Sequence, residues 1–133
     1  MHNKKFTAER FGDTPELANY LGALIADGTK TATCSALWEW EFKSTPIPKA
    51  GTITIVLDGN DKPLCIIETT ELKVQPYNKV DARFAYEEGE GNRSLEYWRK
   101  AHWDFFTRTL IHIGKKPTIE MPLVCERFWV IYK

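Results

Sequence analysis

Apolar residues recur along this chain with two different periods, and the switches between them mark its elements. Leu17, Leu21, Leu24 and Ile25 fall at helical spacing. Asp13 or Thr14 caps that helix, Pro15 and Glu16 suit its first turn, and Gly28 stops it. Beyond it, Ala32, Cys34 and Ala36 alternate with Thr33, Ser35 and Leu37 as in a half-buried strand. Aromatics alternate with carboxylates in Leu37-Trp38-Glu39-Trp40-Glu41-Phe42, which predicts a strand or strand end with Trp38 and Trp40 on one face. Pro46 and Pro48 mark a loop. Gly51 to Leu57, the turn Asp58-Gly59-Asn60-Asp61, and Leu64 to Thr70 predict a hairpin. Its second arm, rich in β-branched residues, is expected mid-sheet, with Glu68 and Glu71 emerging toward an end.

The second half repeats the alternation of helix and strand. Asn78 to Glu88 predicts a short helix with Val80, Phe84 and Ala85 on one face, broken by Gly89-Glu90-Gly91. Asn92 or Ser94 caps the next, in which Leu95, Trp98, His102 and Phe105 share a stripe. On that stripe His102 reads as a hydrogen-bonded residue at the edge of the core rather than a ligand or base. Thr109 to Pro117 reads as loose chain, and Pro122 to Tyr132 as a strong closing strand. Met1 to Phe11 fits a helix, a strand or a loose lead-in equally well.

Composition narrows the field. At 133 residues the chain fits one domain that needs no disulfide staples. Its formal net charge is zero, so nucleic acid would have to be held by a local patch. Cys34, Cys65 and Cys125 are far apart, sit in apolar runs and lack CxxC spacing, which argues against a zinc site or a disulfide framework. With no leader pattern and no bilayer-length apolar run, a cytoplasmic protein is expected, with no membrane partner.

The stretch Gly28-Thr29-Lys30-Thr31-Ala32-Thr33-Cys34-Ser35 sets one lysine among four hydroxyls. Residues three apart in a strand face opposite ways, so Lys30 and Thr33 share a pocket only if the chain turns first, and Gly28-Thr29 is the place for that turn. Otherwise Lys30 is a solvated lysine beside an edge strand. The octet resembles the GxKxxExR signature of the ASCH family, small domains related to the RNA-binding PUA barrels. Gly28 and Lys30 fit it, whereas Thr33 stands where the family commonly has glutamate and Ser35 where it has arginine. Threonine at that place is shared with the small acetylcytidine amidohydrolases of the family. The pattern Ala85-x-x-Glu88-Gly89 resembles the segment that brings an acid to the lysine, with Glu90 as competitor. The resemblance spans nearly the whole chain and implies an α+β fold, a PUA-like β-barrel of mostly antiparallel strands with flanking helices.

It also implies a lysine, threonine and glutamate triad of Lys30, Thr33 and Glu88. In it Lys30 takes a proton, Thr33 attacks an acyl carbon or aligns a water, and Glu88 relays the proton or holds the lysine. A close Glu88 would, however, favour the ammonium and weaken Lys30 as a base. Ser35, Trp38, Glu90, Arg93 and Tyr97 are expected to contact ligand, Trp38 or Tyr97 by stacking a base and Arg93 as part of a basic edge with Arg99 and Lys100. The expected partner is a small nucleoside or single-stranded RNA, with no cofactor and no bound metal, the chain being a monomer or homodimer. Two other readings are a metal-dependent single-strand ribonuclease, for which Glu88 and Glu90 are the one close carboxylate pair, and a noncatalytic RNA or nucleotide binder.

Overall fold

The longest strand, β4 (Pro63–Pro76), runs through the middle of a five-stranded sheet. In a computed structural model describing residues 6–133, the sheet order is β1 (Phe6–Arg10), β3 (Ile53–Leu57), β4, β5 (Pro122–Tyr132) and β2 (Ala32–Ala36). Among the described residues, only β1 and β3 pair in parallel. Register shifts between Ile66 and Ile67 and between Thr69 and Glu71 interrupt the β4–β5 ladder. Such bulges bend a strand and increase its twist. The sheet accordingly curls into a half-barrel, and with its helices makes the expected α+β fold.

Apolar alternation supplies both layers of core. Ile25, from α1 (Pro15–Ala26), fills the hollow of the curl with Val56, Cys65, Ile67 and Phe128. The other cluster packs Ala32, Ala36, Leu123 and Cys125 against Phe84 and Ala85 of α3 (Ala82–Glu88) and Trp98, Phe106 and Leu110 of α4 (Leu95–Leu110). Thr14, Asp81 and Ser94 cap α1, α3 and α4 through their side-chain oxygens. Among the described residues no helix is long and apolar enough to cross a membrane.

Several elements differ from the sequence expectation. Leu37–Phe42 is a helix, α2, not a strand. Six residues of alternating type also satisfy one and a half helical turns, and Glu39 lies in the first turn, where a carboxylate meets the positive helix end. Trp38 and Trp40 therefore diverge. The Asn78–Glu88 segment divides at Asp81 into a 3-10 turn (Tyr77–Lys79) and α3. Thr109–Ile113 is ordered rather than loose, because α4 continues into a 3-10 turn that ends at Gly114. Of Met1 to Phe11, Phe6–Arg10 forms edge strand β1, and residues 1–5 lie outside the described residues.

Gly89 closes α3 with φ +79°, and a Cβ there would stand 2.7 Å from the Thr29 carbonyl oxygen. The close approach lets the end of α3 lie against the turn that carries Lys30. Gly114 has a similar φ of +74° but open space around it. Gly89→Ala is therefore expected to cost roughly 2 to 3 kcal/mol in denaturant unfolding and Gly114→Ala about 1 kcal/mol. Equal losses would contradict the contact.

Candidate functional site

Lys30 reaches its partners because the chain turns before the strand begins. Asp27 caps α1, Gly28 takes φ +87°, and the Asp27 carboxylate accepts the Thr29 N–H at 2.8 Å. The Lys30 N–H then bonds to Leu24 O, and the Thr31 N–H to Glu87 O, which ties this turn to the end of α3. The lysine side chain is 1% exposed. Its ammonium donates to Glu88 Oε1 at 2.6 Å, to Glu90 Oε2 at 2.9 Å and, at 3.4 Å, to the Glu88 carbonyl.

Glu88 is held from every side. Its Oε2 accepts from Trp98 Nε1 at 2.8 Å and lies 3.3 Å from His102 Nε2. His102 Nδ1 lies 2.9 Å from the Trp98 carbonyl oxygen. A carbonyl near one ring nitrogen and a carboxylate near the other are both acceptors, an arrangement that favours the imidazolium form of His102. Its ring stacks on Trp98 with centroids 4.3 Å apart. The buried group thus balances two cations, Lys30 and His102, against two anions, Glu88 and Glu90.

Burial alone would discharge such groups, and their mutual charge reverses it. Desolvation pulls Lys30 down, but Glu88 and then Glu90 outweigh it and leave the amine above its ordinary value. Burial pushes the Glu88 carboxyl up, while Lys30 and His102 bring it well below the carboxylate range. For His102 burial is again the opposing effect, and Glu88 raises it. Cys34 Sγ lies within 4.8 Å of donor atoms of Glu88 and His102. Burial and the Glu88 charge hold that thiol protonated, and both Glu88 oxygens are already engaged, so this trio suits a charge cluster better than a metal ion.

The cluster forms part of the wall of a cavity of about 850 Å³, within the range of small-molecule sites. Lys30, Thr33, Ser35, Glu88, Glu90 and Tyr97 all line it. Ser35 Oγ accepts from Trp40 Nε1 at 2.8 Å, so the serine orients an indole on the cavity wall. Two expected ligand contacts lie elsewhere. Trp38 packs against the α4 side of the core with Lys115 Nζ 5.2 Å from its ring centroid, because α2 turns it away, and Trp40 occupies the wall instead. Arg93 stacks 3.6 Å over Tyr86 and donates to the Tyr86 and Thr29 carbonyls, strapping the Gly89–Ser94 turn onto the Lys30 turn.

The sequence reading missed Trp98, His102, Trp40 and Glu126. The i, i+4 pair Trp98 and His102 offered a signal, since a buried indole N–H and an imidazole on one stripe need a shared acceptor. Glu126 offered another, as a carboxylate inside an apolar strand. Glu68 and Glu71 stay off the cavity wall, and Glu71 pairs with Arg127.

The profile of the ASCH domain family matches residues 7–132. No curated protein matches the chain. Among solved structures, an ASCH domain from Lactobacillus crispatus JV V101 is 37% identical with a TM-score of 0.92, covering 97% of this chain and 81% of that one. A protein of Enterococcus faecalis V583, described by family model DUF984, is 40% identical with a TM-score of 0.88 over 95% of this chain and 76% of its own. The ASCH protein from Zymomonas mobilis, 12% identical, shares the fold alone, with a TM-score of 0.58 over 95% of this chain and 68% of that one.

The raised His102 gives the cluster a pH signature. A group whose folded pKa lies above its unfolded value stabilises the fold fully below the unfolded value, about 6.5, and the stabilisation disappears as pH rises through the folded one. Urea unfolding of the wild type should therefore show stability declining above pH 6.5, and His102→Gln should lack that decline. A wild-type stability that rises from pH 6.5 to 9 would contradict the imidazolium.

Proposed function

The chain belongs to the ASCH domain family, and from that premise we propose that its cavity binds a small acylated nucleoside, of the acylated cytidine kind, and hydrolyses the amide. The observation that carries this reading is that Lys30, ion-paired to both Glu88 and Glu90, lines the same cavity as the hydroxyl-bearing Thr33.

Lys30 is an ammonium here, so its chemistry is that of a donor rather than a base. Its weakest hydrogen bond, to the Glu88 carbonyl at 3.4 Å, is the one a substrate carbonyl oxygen can replace. A fixed cation at that oxygen stabilises the negative charge that develops when a nucleophile adds to the acyl carbon. Thr33 supplies or orients that nucleophile. Glu88, with both oxygens engaged, holds Lys30 in place, the second of the two roles expected for it. Glu90 keeps one oxygen for an N–H of the base, and Trp40, Tyr97 and Phe105 offer apolar surface for its ring.

Carboxylates outnumber lysines and arginines around the cavity: Glu9, Asp13, Glu39, Asp104 and Glu126 join the two site acids, against Lys30, Arg10, Lys43 and Arg108. Such a wall repels a polyphosphate chain and favours an uncharged nucleoside over RNA. It also weighs against the ribonuclease and RNA-binding readings.

The test is incubation of the purified chain with a panel of N4-acylated cytidines and with single-stranded RNA, each with and without chelator, followed by chromatography of the products. Cytidine and a carboxylic acid should appear even with chelator present, and Lys30→Ala should lower kcat by about 100-fold or more. A chain that hydrolyses no amide of the panel, or cleaves only RNA and only without chelator, would overturn the assignment.

A further inference from the structure

Within the Lys30 cluster the groups that could accept the proton of the nucleophile are already committed, the second Glu90 oxygen to the N–H of the base. Lys30 is already protonated, both Glu88 oxygens are taken, and Glu90 is drawn to Lys30 at 2.9 Å. We propose that Glu126 is the general base that activates Thr33. The inference rests on the hydrolase reading and completes it.

Glu126 of β5 stands directly opposite Thr33 of β2 in the antiparallel ladder. Directly opposed residues point to the same face with Cβ atoms about 4.5 to 5.5 Å apart. The two side chains are not hydrogen-bonded to each other among the described residues, so the carboxylate serves the hydroxyl through one intervening water. Both residues line the cavity. Thr69, on the central strand β4, donates its hydroxyl to Glu126 Oε2 at 2.5 Å, which fixes that oxygen.

The charges facing Glu126 are Glu9, from β1, and Lys30. Burial raises its carboxyl above the ordinary value; the Thr69 bond opposes this, Glu9 adds to it, and Lys30 lowers it again. The net upward shift makes the carboxylate a stronger base than an exposed one. Among the described residues Glu126 forms no ion pair, its neighbour Arg127 pairing with Glu71 and Glu87 instead, so ion pairing does not account for this half-buried carboxylate.

The step balances without any further reagent. As the Thr33 Oγ–C bond forms, the hydroxyl proton passes to Glu126; as the C–N bond breaks, Glu126 gives that proton to the departing nitrogen and cytidine leaves. Water then adds to the acyl-threonine ester and passes its proton to Glu126. The ester C–O bond breaks, the proton returns to Oγ, and the carboxylic acid departs.

The experiment compares kcat, KM and the pH profile of wild type, Glu126→Gln and Glu126→Asp on an N4-acylated cytidine, with thermal midpoints measured alongside. In the wild type kcat should rise from the acid side with a midpoint above the usual carboxylate range. Glu126→Gln should lower kcat by about 100-fold or more with KM little changed, and should lose that acid limb. Glu126→Asp should restore part of the rate together with the limb. An active wild type whose Glu126→Gln variant keeps its kcat and its acid limb overturns this inference and leaves the hydrolase reading intact. A wild type that hydrolyses no amide overturns both. Should Glu126→Gln fail to fold, Glu126→Asp decides: an unchanged kcat and midpoint overturn the inference, and a reduced kcat with a shifted midpoint supports it.

Discussion

A lysine ammonium shut away from water must be matched by opposite charge at close range or lose its proton, and the fold around Lys30 is arranged to match it. Taking an ion out of water costs several kcal/mol after relaxation, and a buried pair recovers this only with good geometry and its remaining hydrogen-bonding capacity filled. Those partners arrive from separate parts of the chain: Glu88 from the end of α3, Glu90 from the following turn, Trp98 and His102 from α4. Gly89 allows the end of α3 to lie against the Lys30 turn, and Arg93 ties the following loop to Thr29. Removal of any one member would leave an uncompensated charge inside.

The same arrangement bears on how the proposed hydrolysis would move a proton. An amine wedged between two carboxylates keeps its proton, so on that proposal Lys30 acts on electron density and not as an acceptor. His102 is held toward its charged form because both its nitrogens face acceptors. Glu88 is locked by three partners. In the proposed hydrolysis, proton transfer falls to a carboxylate outside this cluster, and the β2–β5 ladder presents one beside Thr33. On that proposal the cluster binds and polarises, while the neighbouring strand pair carries the hydroxyl that reacts.

Much of this was legible in the sequence because its signals were local. The α1 cap and stripe, the β3–β4 hairpin and the β5 run each announce themselves through period and turn residues. The half-barrel follows from the bulges in β4, which no periodicity reveals. The Gly28 turn was legible from helix-stop chemistry, whereas the pairing of Lys30 with Glu88, or with its competitor Glu90, came from motif resemblance, with geometry alone leaving Lys30 free to be solvated. Trp38 and Arg93 were misplaced for different reasons. A six-residue alternation does not distinguish strand from helix, and an arginine near a pocket is as ready to hold carbonyls as ligand. His102 was taken for core because its partner, Glu88, lies on another helix and no helical spacing connects them.

The central claim, that Lys30 is an ammonium clamped by Glu88 and Glu90, is open to direct observation by nitrogen-15 NMR of the lysine side chains, with Lys30 assigned by comparison with Lys30→Arg. As pH is raised, the Nζ shift of Lys30 should remain that of an ammonium up to and beyond 10.5, the ordinary lysine value. A transition to the neutral amine below about pH 8, as for a desolvated lysine serving as a base, would contradict the account.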